Sequence, residues 1–343
     1  LELNKLTRTE WYLNLELRTK DASRWAEAGH IIAEEQFVIN EFENTYDELE
    51  ESAELLVSDT YGSLRIRTDD VDIRFERRER NQLCSIKVGG EELLTSPVRL
   101  NFWRALTDND RGSRAGSRQG CWRDAGNTPG IYNNTKFSID GYKILDGGKK
   151  VIVNCSAVIC TQPESKALII YTITSKGIEV YLQFFPNAAL SEIPEVSMLF
   201  ELPGDFEDVT YLGEGPYENY IDRRNGTKIG VYSTTVTDMY TDYLKPQECA
   251  NRTGVRYATL VGKKKAFTLV AEPVMEFNAS HYYPNEIENA WHRKELPESH
   301  KTVVRAIARQ QGVGGYDSWG AKCNEKFMNK TDKTYRLKFQ IRF

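Results

Sequence analysis

The sequence is poor in the residues that build metal and redox chemistry. Six cysteines and four histidines are spread over 343 residues. No two cysteines (Cys84, Cys121, Cys155, Cys160, Cys249, Cys323) form a Cys-x-x-Cys pair, which argues against a zinc site and a disulfide framework and for free, partly buried thiols. The histidines (His30, His281, His292, His300) are equally scattered. No run approaches the roughly 18 apolar residues of a membrane span. No N-terminal stretch has the shape of a secretion signal. Excess charge is lacking too: the net value is −5 and the basic residues are dispersed, which argues against nucleic acid and anionic membranes as partners. Low-complexity tracts are absent, and 40% hydrophobic with 11% aromatic content suffices for a real core.

What is present is strand after strand. Leu64–Arg67, Val71–Phe75, Ile178–Phe184, Val255–Tyr257 and Tyr335–Ile341 alternate apolar and polar with period two, the mark of strands with one buried face. The more continuous run Ala167–Tyr171 is expected to be covered on both faces. Turn pairs separate the runs: Gly89-Gly90, Gly147-Gly148, Pro203-Gly204 and Asn225-Gly226. One short helix is expected, over Pro284–Lys294, with proline at its start. No repeated βα units occur. The pattern predicts an all-β chain built as a large antiparallel β-sandwich. Near the N-terminus Trp11, Leu13, Leu15 and Leu17 alternate on one face, and Gln36–Ile39 supplies a second strand. Residues 41–57 are acidic and read as a linker, with room for a helix over Tyr46–Leu56.

Three irregular segments interrupt the strands: Asn101–Tyr132, Tyr211–Arg224 and Asp238–Arg252. Long irregular segments in a compact domain are usually functional or interface loops. A fourth, Gly312-Val313-Gly314-Gly315-Tyr316-Asp317-Ser318-Trp319-Gly320, has four glycines in nine residues. Such a backbone takes positive-φ turns and leaves Trp319 on a loop. An indole so held offers a flat apolar face for the C–H face of a sugar, and one N–H donor. The plainer alternative is a tight turn whose Trp folds back into the core.

These segments carry a resemblance. Asn101-Phe102-Trp103-Arg104-Ala105-Leu106-Thr107-Asp108-Asn109-Asp110-Arg111-Gly112 closely resembles a signature of the C-terminal β-sandwich domain of large β-galactosidases, glycoside hydrolase family 2. Gly213–Arg223 resembles its G-x-G-P-x-E-N-Y-x-D-R run, Tyr243–Arg252 its Y-x-x-P-Q-E-N-G-N-R run, and Gly312–Gly320 its G-x-G-G-D-D-S-W-G loop. Four ordered motifs span about 57–343. Trp25–His30 followed by Gln36-Phe37 is similar to the closing strands of the immunoglobulin-like domain that precedes that sandwich. The departures are Leu106 for proline, Tyr316 for Asp, and Cys249-Ala250 for Asn-Gly, which removes a φ-permissive glycine.

The resemblance implies an incomplete immunoglobulin-like segment over 1–40, the linker over 41–57, and a galactose mutarotase-like β-sandwich over 58–343. The opening at Leu1 and the half-domain imply a piece of a longer polypeptide. They imply retaining hydrolysis of terminal β-galactosides by two glutamates on a (β/α)8 barrel outside this chain. No catalytic residue, cofactor or metal site is assigned here; the family's magnesium and sodium sites belong with the barrel. Trp319 is implied to contact a β-galactoside or oligosaccharide at the active-site mouth, with Asp317 and Ser318 as loop support. Implied partners are that sugar, the barrel of the same polypeptide and further copies of the chain. A soluble protein is expected, cytoplasmic or periplasmic. Glu218, Asn219, Asp222 and Arg223 are expected to tie down a loop and pair with Arg224 or Arg252 rather than form a catalytic carboxylate pair. Asp108, Asn109 and Asp110 should fix a turn, neutralised by Arg104 or Arg111. No histidine-bearing strand matches a mutarotase site. The readings left open are a stand-alone carbohydrate-binding module and a structural or oligomerisation domain.

Overall fold

The computed structural model describes residues 10–40, 48–49, 53–78, 81–126 and 135–343. Two compact units emerge, Leu1–Thr45 and Tyr46–Phe343. In the first, β1 (Trp11–Arg18) and β2 (Ile31–Asn40) pair as an antiparallel hairpin, with Leu15 opposite Glu35. The second strand begins five residues before the expected Gln36. Among the described residues this sheet stops at two strands, and Leu15 and Leu17 remain 51% and 60% exposed. The acidic stretch lies largely outside the described residues, as does most of the helix expected over Tyr46–Leu56.

The second unit opens with a five-stranded antiparallel meander. It comprises β3 (Leu56–Asp59), β4 (Ser63–Arg67), β5 (Val71–Glu76), β6 (Leu83–Val88) and β7 (Glu91–Glu92). After β8 (Arg99–Asn101) come three one-turn helices, α1 (Asp108–Gly112), α2 (Ala115–Arg118) and α3 (Gly120–Ala125). Then follow β9 (Lys136–Leu145), β10 (Lys150–Ile159), β11 (Ser165–Thr174), β12 (Gly177–Phe185), β13 (Glu195–Pro203), β14 (Asp208–Gly215) and β15 (Lys228–Thr235). The helix α4 (Val236–Met239) leads to β16 (Arg252–Val261) and β17 (Ala266–Ser280). The last elements are α5 (Pro284–Asn289), β18 (Lys301–Gln310) and β19 (Tyr335–Arg342).

The larger sheet runs β15-β14-β16-β17-β19-β12-β11-β10-β9, with a branch β17-β18-β13-β8. The fork lies within β17. Its first half pairs with β19 over Thr268–Glu272 and its second half with β18 over Glu276–Ser280. Pro273 sits between the halves, where a missing N–H disturbs no ladder. All pairings are antiparallel, and one contiguous core joins the meander (Leu64, Ile73, Phe75) to the large sheet (Val153, Ile178, Phe339). The all-β antiparallel expectation therefore stands.

Three local expectations need correction. Asn101–Tyr132 is not loop throughout, because α1, α2 and α3 lie inside it; α4 adds another unexpected turn of helix at Val236. The expected helix stops at Asn289 rather than Lys294. The run at Ala167–Tyr171 is not covered on both faces: Leu168 is 44% exposed. Strands buried on both faces are instead β13, buried from Glu195 to Phe200, and β18, buried from Thr302 to Ile307.

Candidate functional site

The glycine loop leaves the end of β18 and is held at its root by side chains from far upstream. Arg104, 1% exposed, donates to the carbonyls of Gln311 (2.6 Å) and Gly312 (3.0 Å). Asn109 Nδ2 donates to the Val313 carbonyl at 2.9 Å. Asp222 accepts from the N–H groups of Val313 and Gly314, both at 2.9 Å. The Gly312 N–H completes the set by donating to the Phe327 carbonyl at 3.0 Å. Three consecutive carbonyls and three consecutive N–H groups are thus fixed, five of the six by side chains. Backbone polar groups outside a helix or sheet need such partners.

Arg104 can do this because its charge is balanced. Asp110 pairs with it at 3.1 Å, and both side chains are nearly buried. Asp110 also accepts from the Thr107 N–H while Thr107 Oγ1 accepts from the Asp110 N–H, a capping box that starts α1. One carboxylate therefore caps the helix and steadies the arginine. The expected neutralisation by Arg104 and Arg111 holds, since Arg111 pairs with Asp108 at 3.3 Å.

Beyond the root the loop turns through Gly314 (φ +70°) and Gly315 (φ +94°). Asp317 Oδ1 accepts from the N–H groups of Ala321 (3.0 Å) and Trp319 (2.9 Å). These donors, Ala321 first and then Trp319, hold its carboxyl below the ordinary range. Gly320 has φ +90°, and a Cβ there would run into the Gly112 carbonyl. The loop therefore closes against the end of α1. Trp319 does not fold back into the core; it is 93% exposed, and Tyr316 on the same loop is 57% exposed. Asp317 thus bonds the backbone on either side of Gly320.

The other two motifs join the same end of the unit. Gln247 accepts from the Asp108 N–H at 2.8 Å. Glu218 accepts from Tyr243 Oη, from the Ala250 N–H (3.1 Å) and from Arg223 (3.4 Å). Its cation is therefore Arg223, not Arg224 or Arg252 as expected. Arg224 pairs with Glu214, and Arg252 donates to Tyr211 Oη and to the carbonyls of Ala250 and Asn251. Glu218 and Asp222 are each engaged with loop backbone, Glu218 at Ala250 and Asp222 at Val313 and Gly314. Ala250, which stands where the resembling pattern has glycine, keeps φ +70°. The left-handed geometry survives the loss of glycine, held by Glu218 on its N–H and Arg252 on its carbonyl.

Beneath the loop lies a polar network that sequence reasoning did not single out. Arg305 bridges Glu195 and Glu248, each at 2.5 Å. Gln310 Nε2 donates to both carboxylates, and Gln310 Oε1 accepts from Arg104 at 3.3 Å. Glu276 accepts from the Gln310 N–H (3.0 Å) and Asn251 Nδ2 (2.9 Å). Burial pushes Glu276 up to about 7. Lone polar residues inside apolar runs, such as Arg305 in Val303-Val304-Arg305-Ala306-Ile307, are the sequence signal for it.

His281 bonds Glu207 (2.8 Å) and the Lys301 carbonyl, and no hydrogen bond joins it to the loop cluster among the described residues. All six cysteines are free. Among the described residues no group of histidine, cysteine or acidic side chains is arranged to hold a metal ion, and no helix is long and apolar enough to cross a membrane.

Comparison with known proteins gives two family matches. The family described as "Beta galactosidase small chain" matches residues 67–341, and that described as "Beta-galactosidase, domain 4" matches residues 1–40. A β-galactosidase of Priestia megaterium is 32% identical over 335 residues, covering 97% of this chain and 31% of that protein. A β-galactosidase of Streptococcus thermophilus is 32% identical over 94% of the chain and 30% of its own length. A β-galactosidase small subunit of Latilactobacillus sakei is 28% identical over 76% of the chain and 89% of its own length. The chain thus spans about a third of the length of the first two relatives. Among solved structures, a galactose mutarotase-like protein from Lactobacillus casei superposes with a TM-score of 0.46 at 12% identity, over 82% of this chain and 99% of its own.

Proposed function

Because the chain belongs to the β-galactosidase small-chain family, as the C-terminal part of a larger β-galactosidase, we propose that it completes the sugar site of a glycosidase whose reacting groups lie elsewhere. The parent reaction is the retaining hydrolysis of terminal β-galactosides through two glutamates of a (β/α)8 barrel in the same polypeptide. Magnesium and sodium sites belong to that catalytic part. This chain contributes Trp319, which stacks on the sugar or aglycone at the mouth of the site.

One observation carries the reading: an almost fully exposed indole stands on a loop whose root is clamped by side chains of two other motifs, Arg104 and Asn109 of the first and Asp222 of the second. Exposing an indole forgoes burial of a large apolar side chain. Fixing the backbone beneath it is what a pre-organised contact requires. The likeness to a relative described as a small subunit supports a role beside a larger catalytic part. Exposed Tyr217, Leu244 and Trp291 lie on or beside the same motifs and suit a surface for the barrel or for further copies of the chain.

The test is Trp319→Ala in the β-galactosidase formed with this chain as its C-terminal part. KM for β-galactosides should rise by an amount equivalent to about 1–3 kcal/mol of lost binding. Unchanged KM and acceptor preference would refute the contact. The isolated chain should show no turnover of a chromogenic β-galactoside and no measurable sugar affinity by tryptophan fluorescence. Such affinity would instead indicate a stand-alone binding module.

A further inference from the structure

Trp319 is not the only aromatic ring on the glycine loop. Tyr316 precedes it by three residues and is 57% exposed, where the resembling motif has an aspartate. Among the described residues, neither ring stacks on another aromatic ring or lies under a cationic side chain. Packing within the fold thus leaves Trp319 almost fully and Tyr316 more than half exposed.

The backbone between the two rings is fixed at both ends. Upstream, Asn109 and Asp222 hold Val313 and Gly314, and Gly315 then turns at φ +94°. Downstream, Asp317 holds the N–H groups of Trp319 and Ala321. Three residues of chain reach at most about 10 Å. The two rings therefore stand on neighbouring positions of one supported segment, a spacing suited to consecutive rings of an oligosaccharide. Each offers an apolar face to pyranose C–H groups, and Tyr316 adds a hydroxyl for a sugar oxygen.

We propose that Tyr316 is a second sugar-stacking face beside Trp319, so that the site takes β-galactosides whose aglycone has two or more linked sugars in preference to a single sugar. The proposal rests on the reading of Trp319 given above. Because Tyr316 is exposed and bonds nothing in the loop clamp, its replacement leaves the fold and the contact at Trp319 in place.

The experiment compares lactose with a galactosyl cellobiose trisaccharide as substrates of the β-galactosidase formed with this chain. The wild type should show the lower KM for the trisaccharide. Tyr316→Ala and Tyr316→Asp should raise that KM roughly three- to tenfold, the scale of one aromatic stacking contact. KM for lactose and both kcat values should stay within about twofold. Tyr316→Phe should retain the wild-type preference, since it keeps the ring. Trp319→Ala serves as the reference and should raise KM for both substrates. If Trp319→Ala acts but Tyr316→Ala leaves the trisaccharide-to-lactose ratio unchanged, the second face is refuted and the Trp319 reading survives. If Trp319→Ala changes neither KM, the underlying reading fails. A wild type with no preference for the trisaccharide also overturns the proposal.

Discussion

The guanidinium of Arg104 donates to the carbonyl of Gly312 across 208 residues of sequence, at 3.0 Å, while ion-paired to Asp110. That contact joins the first motif of the unit to the last, and it is buried.

Arg104→Ala should be strongly destabilising. It leaves Asp110 buried without its cation and two loop carbonyls without donors, a loss on the order of 3–5 kcal/mol. Arg104→Lys should be intermediate, because an ammonium lacks the planar fork that reaches Asp110 and the carbonyls together. Urea denaturation of the three proteins checks the order; a loss below about 1 kcal/mol for the alanine variant would contradict the clamp.

Two tryptophans should behave oppositely in the same assay. Trp122 is fully buried and its Nε1 donates to the Ser191 carbonyl at 3.0 Å, so Trp122→Ala should cost about 3–5 kcal/mol. Trp319→Ala should leave stability within about 0.5 kcal/mol, as exposed substitutions do. A large loss at Trp319 would mean that the indole packs against the fold.

Gly320→Ala should disturb the loop without touching the strands. The residue needs φ +90°, and the new methyl group would press on the Gly112 carbonyl. The cost should be about 1–2 kcal/mol in conformation alone. KM for β-galactosides should rise with kcat little changed, because the loop moves Trp319. A melting temperature and KM both equal to wild type would count against the closure on α1.

Glu276 sets a pH dependence. Its carboxyl is raised to about 7 in the folded protein, above the ordinary glutamate value. The folded state therefore holds this proton more tightly than the unfolded chain does. Its contribution to stability is complete below the unfolded-state pKa, falls as pH rises toward 7, and is flat above. Denaturant titrations from pH 5 to 8 should show Glu276→Gln losing less stability with rising pH than wild type does. Parallel curves would refute it.

Much of this architecture is legible from residue order because a strand with one solvated face writes period two into the chain. Arg65 and Arg67 alternate with Leu64 and Ile66 for that reason. The strands β13 and β18 are covered on both faces, so no alternation marks them; Arg305 interrupts the apolar run of β18, and Glu195 opens β13. The helices α1, α2 and α3 escape notice because one turn is too short to show a 3.6-residue period. Only the capping box Thr107-x-x-Asp110 could have announced the first. The glycines and Trp319 announce a loop, but its clamps come from Arg104, Asn109 and Asp222, and nothing local in the sequence points from one to the other. The pairing of Glu218 with Arg223 is hidden in the same way: Tyr220 and Arg223 form a bridge, and Arg223 donates to Glu218 from that turn.

The clamps of the glycine loop also order events in time. The side chains that hold its root are 208, 204 and 91 residues earlier in the chain, so the root is not clamped by local structure while the polypeptide is made. Contacts so distant in sequence form slowly, after the strands between them have paired. A clamped root at Val313 therefore reports that Arg104, Asn109 and Asp222 have all reached their native places, and a chain misregistered between them would lose the clamp while its local hairpins persist.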